Sequence, residues 1–323
     1  MSVRTGILGV GFMGRVHAGI LRRDRRVELS GVFDVDRQRG EEAAKELNCT
    51  LARTEEELFE RSDAIYITVP NTLHAQAAGR ALQHGKHVFL EKPFATTLAE
   101  ADSLRRAASR ANTILQVGHN RRFAPAYQAV KDCLKRGDIE PTLAHFKMNR
   151  GELESPAWVG NTSVTGGYLY ETPLHLLDLA RWFFGEVAEV RAHAARRVYS
   201  ELDNFSFLLL FESGLSLTFT SCAHSTWAFP FERVEIFGRY LTIETAEMDR
   251  LSLSAGLNRP ASVQDFSALG REEKLGYAAI DANFIAAVLG EEAPGVTAED
   301  GYRSVEIVDQ CYRASRPIVN RQS

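Results

Sequence analysis

Cysteine is scarce in this chain and arranged to do nothing special. The 323 residues include four, Cys49, Cys133, Cys222 and Cys311. They lie far apart, with no Cys-x-x-Cys and no histidine at metal-ligand spacing, which excludes a disulfide framework and a thiolate metal site and predicts reduced thiols. A basic surplus is also missing. With 38 Lys plus Arg against 42 Asp plus Glu, the formal charge is −4, and a nucleic-acid binder would carry the opposite balance. The local run Arg22, Arg23, Arg25, Arg26 falls at the end of the first predicted helix, where cations complement the helix dipole. No apolar run reaches the roughly eighteen residues of a membrane span. The chain does not open on a basic segment followed by an apolar one, and it has no internal repeat or low-complexity tract. These absences lead us to expect a soluble cytoplasmic protein with no metal, nucleic-acid or membrane partner. The length suits two domains.

What is present begins at the N-terminus. Val3 to Leu8 reads as a buried strand and Phe12 to Leu21 as a helix, and between them stand Gly9, Gly11 and Gly14. In a strand–turn–helix context each glycine has a purpose. Gly9 permits the tight turn, Gly11 lets backbone approach a pyrophosphate, and Gly14 lets the helix pack on the sheet, with phosphates on the helix N-terminus beside Phe12 and Met13. A second strand, Val27 to Phe33, delivers Asp34 about twenty residues on, where a carboxylate takes the adenosine ribose hydroxyls. That carboxylate repels a 2′-phosphate, so NAD is expected over NADP. Arg37, three residues later, is the residue that could admit NADP.

Ala64 to Val69, His87 to Leu90 and Thr113 to Val117 read as further strands, alternating with helices at Leu73 to Gln83 and Leu98 to Ala111. This alternation predicts an α/β, doubly wound parallel sheet, a Rossmann-type domain over residues 1–121. Beyond it, Glu186 to Thr245 holds several strands without intervening helices, among them Asn204 to Phe211, Leu215 to Cys222 and Phe231 to Phe237. Leu215, Leu217 and Phe219 alternate with Ser216, Thr218 and Thr220, as in an antiparallel sheet with one covered face. Residues 122–323 are therefore expected to form a second domain, which ends in helices at Ala278 to Leu289 and Ala298 to Tyr312.

Five motifs in order resemble the family of glucose-fructose oxidoreductase and inositol dehydrogenase. They are Gly9-Val-Gly-Phe-Met-Gly14, Val69-Pro-Asn-Thr-Leu-His74, Glu91-Lys-Pro93, Gly118-His-Asn-Arg-Arg-Phe123, and the segment from Gly166-Gly to Gly185 with His175 and Asp178. The resemblance implies a C-terminal α+β domain around a large open, mostly antiparallel sheet that makes a homodimer or homotetramer interface. It places Pro70, Asn71 and His74 at the cofactor, Glu91 at a cofactor ribose, and Lys92 at cofactor and substrate, polarising the reacting oxygen. A cis bond before Pro93 is a further implication.

Glu91-Lys92-Pro93 directly follows a strand, so by the rule for open α/β sheets it lies at the carboxyl edge beside the cofactor. The predicted helix from Pro173 to Phe184 supplies the other groups. Glu171, His175 and Asp178 stand at i, i+4 and i+7 and share a face if the helix begins at or before Glu171. In relatives the region reads Asp-x-x-x-His, with histidine as the general acid/base; here Glu171 replaces the aspartate. Lys92, His175 and Glu171 are the expected catalytic residues. Asn120, Arg121, Arg122, Arg150, Trp158, Asn161 and Asp178 are candidates to grip substrate, the arginines either on a phosphate or in a salt bridge across the domain junction. The reading that follows is an NAD-dependent dehydrogenase of a sugar-type secondary alcohol, foremost the 3-hydroxyl of a nucleotide sugar such as UDP-N-acetylglucosamine. Free sugars, anhydro-sugars and inositols are the alternative substrates. A non-catalytic NAD-binding sensor or structural subunit is the alternative of another class.

Overall fold

A computed structural model describes residues 2–151, 157–226 and 231–315. The chain forms two compact units, and the first is not contiguous: residues up to 120 are joined by 276–305, while the second unit takes 121–275 and the residues from 306. The linear division at 121 therefore misses a return of the chain into the first unit. No local pattern announces it, because a helix belongs to whichever core it covers.

In the first unit the strands are β1 (Val3–Leu8), β2 (Val27–Phe33), β3 (Ala64–Ile67), β4 (His87–Leu90) and β5 (Leu115–Val117). The helices between them are α1 (Phe12–Leu21), α2 (Arg37–Leu47), α3 (Glu55–Arg61), α4 (His74–Gln83) and α5 (Leu98–Arg110). All four strand pairings are parallel, in the order β2-β1-β3-β4-β5. The order reverses between β1 and β3, and ligands of such sheets bind outside the strand carboxyl ends at that reversal. The central strand β3 is buried at every residue, as a sheet covered on both faces requires, while β2 at the edge carries Glu28 and Ser30.

The second unit opens with α6 (Pro125–Arg136), β6 (Leu143–Asn149), α7 (Thr162–Thr165) and α8 (Pro173–Phe184). The strands β7 (Val187–Ala195), β8 (Asn204–Phe211), β9 (Ser216–Cys222), β10 (Glu232–Gly238), β11 (Leu241–Ala246), β12 (Arg250–Ala255) and β13 (Ser262–Asp265) follow, then α9 (Arg271–Lys274). Eight strands make one sheet in the order β13-β12-β11-β10-β6-β9-β8-β7. It is antiparallel except where β6 lies parallel to β9. One face is covered: Phe205, Phe207, Leu209 and Phe211 of β8 and Leu217 and Phe219 of β9 are buried, while Ser216, Thr218 and Thr220 turn the other way. Phe183 and Phe184 of α8 meet Phe146 of β6, and Phe184 also meets Phe211 of β8. Each such ring contributes about 1.5–3 kcal/mol on burial, so α8 is clamped to the covered face. The chain ends with α10 (Tyr277–Val288) in the first unit and α11 (Ala298–Ala314), whose residues divide between the units after Val305.

Candidate active site

In the first unit the glycines behave as their spacing requires. Gly9 has φ +91°, and a Cβ on it would lie 2.9 Å from the backbone of Thr68, the residue after β3 across the reversal. A Cβ on Gly14 would sit 2.2 Å from the Gly9 carbonyl oxygen. Gly11 differs: a Cβ there would meet nothing within 4 Å, so the space over this turn is open. No side chain caps the N-terminus of α1, and its first turn carries no acid. An open cradle over an uncapped helix N-terminus fits a dinucleotide pyrophosphate.

Asp34 closes the same site. Its carboxylate accepts the N–H groups of Val10 and Asp36, each at 2.9 Å, which aims it at the glycine turn. Arg37 is 86% exposed and pairs with Glu41 at 2.8 Å; the arginine beside Asp34 is Arg39, whose Nε lies 3.3 Å from its carboxylate. The cause is helix geometry. Asp36 caps α2 by accepting the Arg39 N–H, so the third helical position turns back toward Asp34 while the first points along the helix. The capping aspartate was the available signal.

His74 is held by backbone on both sides of its ring. It is 1% exposed, with Nδ1 2.7 Å from the Pro93 carbonyl and Nε2 2.8 Å from that of Val69. The ring ties together the segments that follow β3 and β4. Burial pushes its pKa down against those two carbonyls, each of which favours a ring N–H. Pro70 and Asn71 lie in the segment so held, Asn71 beginning a 3₁₀ turn, Asn71–Leu73.

At the end of β4 the Lys92–Pro93 peptide is cis. Glu91 is buried and its carboxylate is already engaged: one oxygen lies 3.0 Å from Nε2 of His17, and the other accepts the Lys92 N–H at 2.9 Å. Nδ1 of His17 lies 2.9 Å from both carboxylate oxygens of Asp281 on α10. The cluster is walled by Phe89, whose ring centroid is 4.9 Å from that of His17. Burial opposes charge on His17, but the carboxylates of Asp281 and Glu91 on its two nitrogens outweigh it and push the pKa up to about 10. Burial likewise works against ionisation of Glu91, and His17 overcomes it, holding that carboxyl below its usual range. Sequence reasoning missed both His17 and Asp281. A lone histidine on an apolar helix face gives no sign of a partner 264 residues away.

In the second unit α8 begins at Pro173 with Thr172 as its N-cap, so Glu171 stands outside the helix, at ψ −106°. The shared helical face therefore holds His175 and Asp178 alone, and Glu171 approaches from the preceding turn. All three are buried, at 7%, 6% and 0% exposure for Glu171, His175 and Asp178. Gly167, at φ +125°, leads into that turn, and a Cβ on it would lie 2.6 Å from the Tyr312 hydroxyl, which accepts the Leu169 N–H. Tyr312 is thus a further residue that sequence reasoning missed, brought in by α11.

The arginines expected at substrate are bound inside this unit. Arg122 donates to both oxygens of Asp178, at 2.8 and 2.7 Å. Arg121 donates to Glu232 at 3.2 Å, which also accepts the Tyr127 hydroxyl. These are the ion pairs weighed against substrate binding, formed within one unit instead of across a junction. The Asp178 carboxylate faces Arg122. Asn161 uses its side-chain oxygen to cap α7 through the Ser163 N–H. Arg150 lays its guanidinium on the Phe231 ring, 4.6 Å from the centroid, and Trp158 is 51% exposed. Asn120 is buried at the end of the first unit's contiguous stretch. Among the described residues no group of three His, Cys, Asp or Glu side chains has the geometry to hold a metal, and no helix is long and apolar enough to cross a membrane.

Residues 3–119 match the model of an oxidoreductase family with an NAD-binding Rossmann fold, and residues 127–244 match the C-terminal domain model of the same GFO/IDH/MocA family. Over 207 residues the chain is 37% identical to UDP-N-acetylglucosamine 3-dehydrogenase of Acidithiobacillus ferrooxidans, covering 63% of this chain and 61% of that one. Over 187 residues it is 30% identical to glucose-6-phosphate 3-dehydrogenase of Bacillus subtilis, covering 56% and 53%. Both matches therefore span less than two thirds of the relative's own length. The solved structure of the Acidithiobacillus enzyme superposes with a TM-score of 0.85 at 25% identity, covering 97% of this chain and 98% of that one. With both domain models matched in order and this fold beneath them, the chain belongs to the GFO/IDH/MocA family of NAD-binding oxidoreductases.

Proposed function

We propose that the protein oxidises a secondary hydroxyl of a sugar-type substrate by reversible hydride transfer to NAD. The observation that carries this reading is the placement of Lys92 directly after β4, in the same unit as the glycine cradle and Asp34, at the carboxyl edge of the parallel sheet. NAD in that cradle supplies the hydride acceptor. His175 takes the hydroxyl proton on its ring, since an imidazole nitrogen can accept a proton and later return it. The Lys92 ammonium stabilises charge developing on the oxygen. Glu171 assists as the carboxylate that stands where relatives carry aspartate.

For the substrate, our reading is the 3-hydroxyl of a nucleotide sugar such as UDP-N-acetylglucosamine. The two relatives described above support it, since both are named for dehydrogenation at position 3. A diphosphate needs an anchor remote from the reacting carbon. We assign that part to Arg150, one of the arginines of the second unit expected at substrate. A second reading, a phosphorylated or free sugar, draws on the glucose-6-phosphate relative, and the same arginine would serve its phosphate. The open face of the eight-stranded sheet we assign to self-association.

The test is the specificity constant with NAD for UDP-N-acetylglucosamine against N-acetylglucosamine, glucose 6-phosphate and inositols. A large preference for the nucleotide form supports the leading reading. Better use of the others replaces it, and no reduction of NAD with any of them favours a binding subunit without turnover.

A further inference from the structure

The buried cluster behind Lys92 has no part in the chemistry described so far. Exposure is 0% for His17, 5% for Glu91 and 1% for Asp281. Glu91 is wedged from below, since a Cβ on Gly118 would lie 3.2 Å from both its Cα and its carboxyl carbon. A carboxylate buried this deeply is costly unless it is paired and hydrogen-bonded. His17 supplies the pairing, and the ring's charge state follows from its partners. A neutral imidazole donates from one nitrogen only and would turn a lone pair toward one of the two carboxylates, whereas an imidazolium donates to both. Held in this way, Glu91 keeps its second oxygen on the Lys92 N–H at 2.9 Å.

We propose that His17, backed by Asp281, is a positioning residue for the reaction: it fixes the Glu91 carboxylate, and through the Lys92 N–H that carboxylate fixes the turn from which the Lys92 side chain acts. A catalytic group is useful only while held within about 0.5 Å of its working position. Among the described residues His17 is the side chain hydrogen-bonded to the Glu91 carboxylate, so an imidazole in α1 and an acid in α10 bear on the turn that carries Lys92. This inference rests on the assignment of Lys92 to the reacting oxygen.

Two measurements on the full chain separate the inference from that assignment. The first needs no substrate: the rate at which an amine-reactive succinimidyl ester acylates Lys92, followed by peptide mass spectrometry, with Lys45 as internal reference. In His17→Gln, and again in Asp281→Asn, the Lys92 rate is expected to change severalfold while Lys45 stays unchanged. Equal change at both lysines means general loosening, and no change at Lys92 means no positioning; either overturns the proposal. The second is turnover. His17→Gln is expected to lower kcat about tenfold or more, the scale of a small misplacement, with NAD affinity retained, and His17→Gln added to Glu91→Gln should cost little further. Full turnover in Lys92→Ala defeats the assignment of Lys92. Loss in Lys92→Ala with full turnover in His17→Gln defeats only the positioning role.

Discussion

In the first unit a single imidazole, that of His17, lies between the carboxylates of Glu91 and Asp281, whereas in the second two adjacent arginines each take a carboxylate of their own, Arg121 from Glu232 and Arg122 from Asp178. Each arrangement adjoins a group we assign to catalysis. Glu91 precedes Lys92, and Asp178 lies one helical turn beyond His175. The difference is one of chemistry. Guanidinium keeps its charge at any pH a protein survives, and its fork matches a carboxylate in two bonds. Imidazolium can be discharged. The second unit thus anchors its helix permanently, while the first holds its lysine turn by a charge that pH can remove.

The sharpest test of the comparison is at the two groups themselves. Lys92→Ala and His175→Ala should each lower turnover by about a hundredfold or more, with NAD affinity nearly intact. Near-normal turnover in either would remove that residue from the proposed chemistry and leave its anchor without a purpose.

Next in size is the loss of one partner of the Arg122–Asp178 pair. A buried charge left alone costs about 3–5 kcal/mol, whereas replacing both partners by apolar residues is tolerated far better. Denaturant unfolding should therefore show Asp178→Ala strongly destabilised and Arg122→Met with Asp178→Leu largely restored. If Asp178→Ala keeps its stability and instead raises KM, Asp178 is a substrate contact after all. Arg150→Ala is the counterpart for substrate: KM for a nucleotide sugar should rise about tenfold or more with kcat nearly kept. Unaltered KM would return the phosphate anchor to other residues.

Cofactor choice comes third. NAD should bind several-fold more tightly than NADP, and Asp34→Ser should narrow the gap. Arg39→Ala should weaken residual NADP binding while Arg37→Ala leaves it alone; titration showing the reverse would restore Arg37.

The smallest effects are on pH dependence. His17 has its pKa raised from 6.5 to about 10, so its contribution to stability is complete below 6.5 and is lost as pH rises through about 10. Glu247 of the second unit, desolvated and near Glu232, is raised from 4.5 to about 7; its contribution is complete below 4.5 and is lost as pH rises through about 7. His17→Gln should flatten the alkaline limb of Tm against pH, and Glu247→Gln the limb near neutrality, the latter weakly because water screens a half-buried carboxyl. An unchanged alkaline limb in His17→Gln would mean that the ring is already neutral.

How much of this was legible in advance depended on how far apart the partners lie. The glycine turn, Asp34 and the strands of the first sheet follow from a few dozen consecutive residues, because φ requirements, hydrophobic period and strand–turn–helix order are local properties. The bounds of α8 were equally plain from Pro173 and Gly185. The position of Glu171 was not: a spacing of i, i+4 describes a face only where the backbone is helical, and the backbone at Glu171 is not.

By itself the sequence determined the fold class and the glycine turn of the dinucleotide cradle, since each is written in a contiguous motif whose geometry is set by neighbouring residues. Only the tertiary structure decided where the buried charges go. It brought Asp281 to His17, Glu232 to Arg121 and Asp178 to Arg122, and it turned Arg39 rather than Arg37 toward Asp34. The physical reason is that a buried charge must be neutralised by whichever opposite charge the packed chain carries to it, and packing, not spacing along the chain, selects that partner.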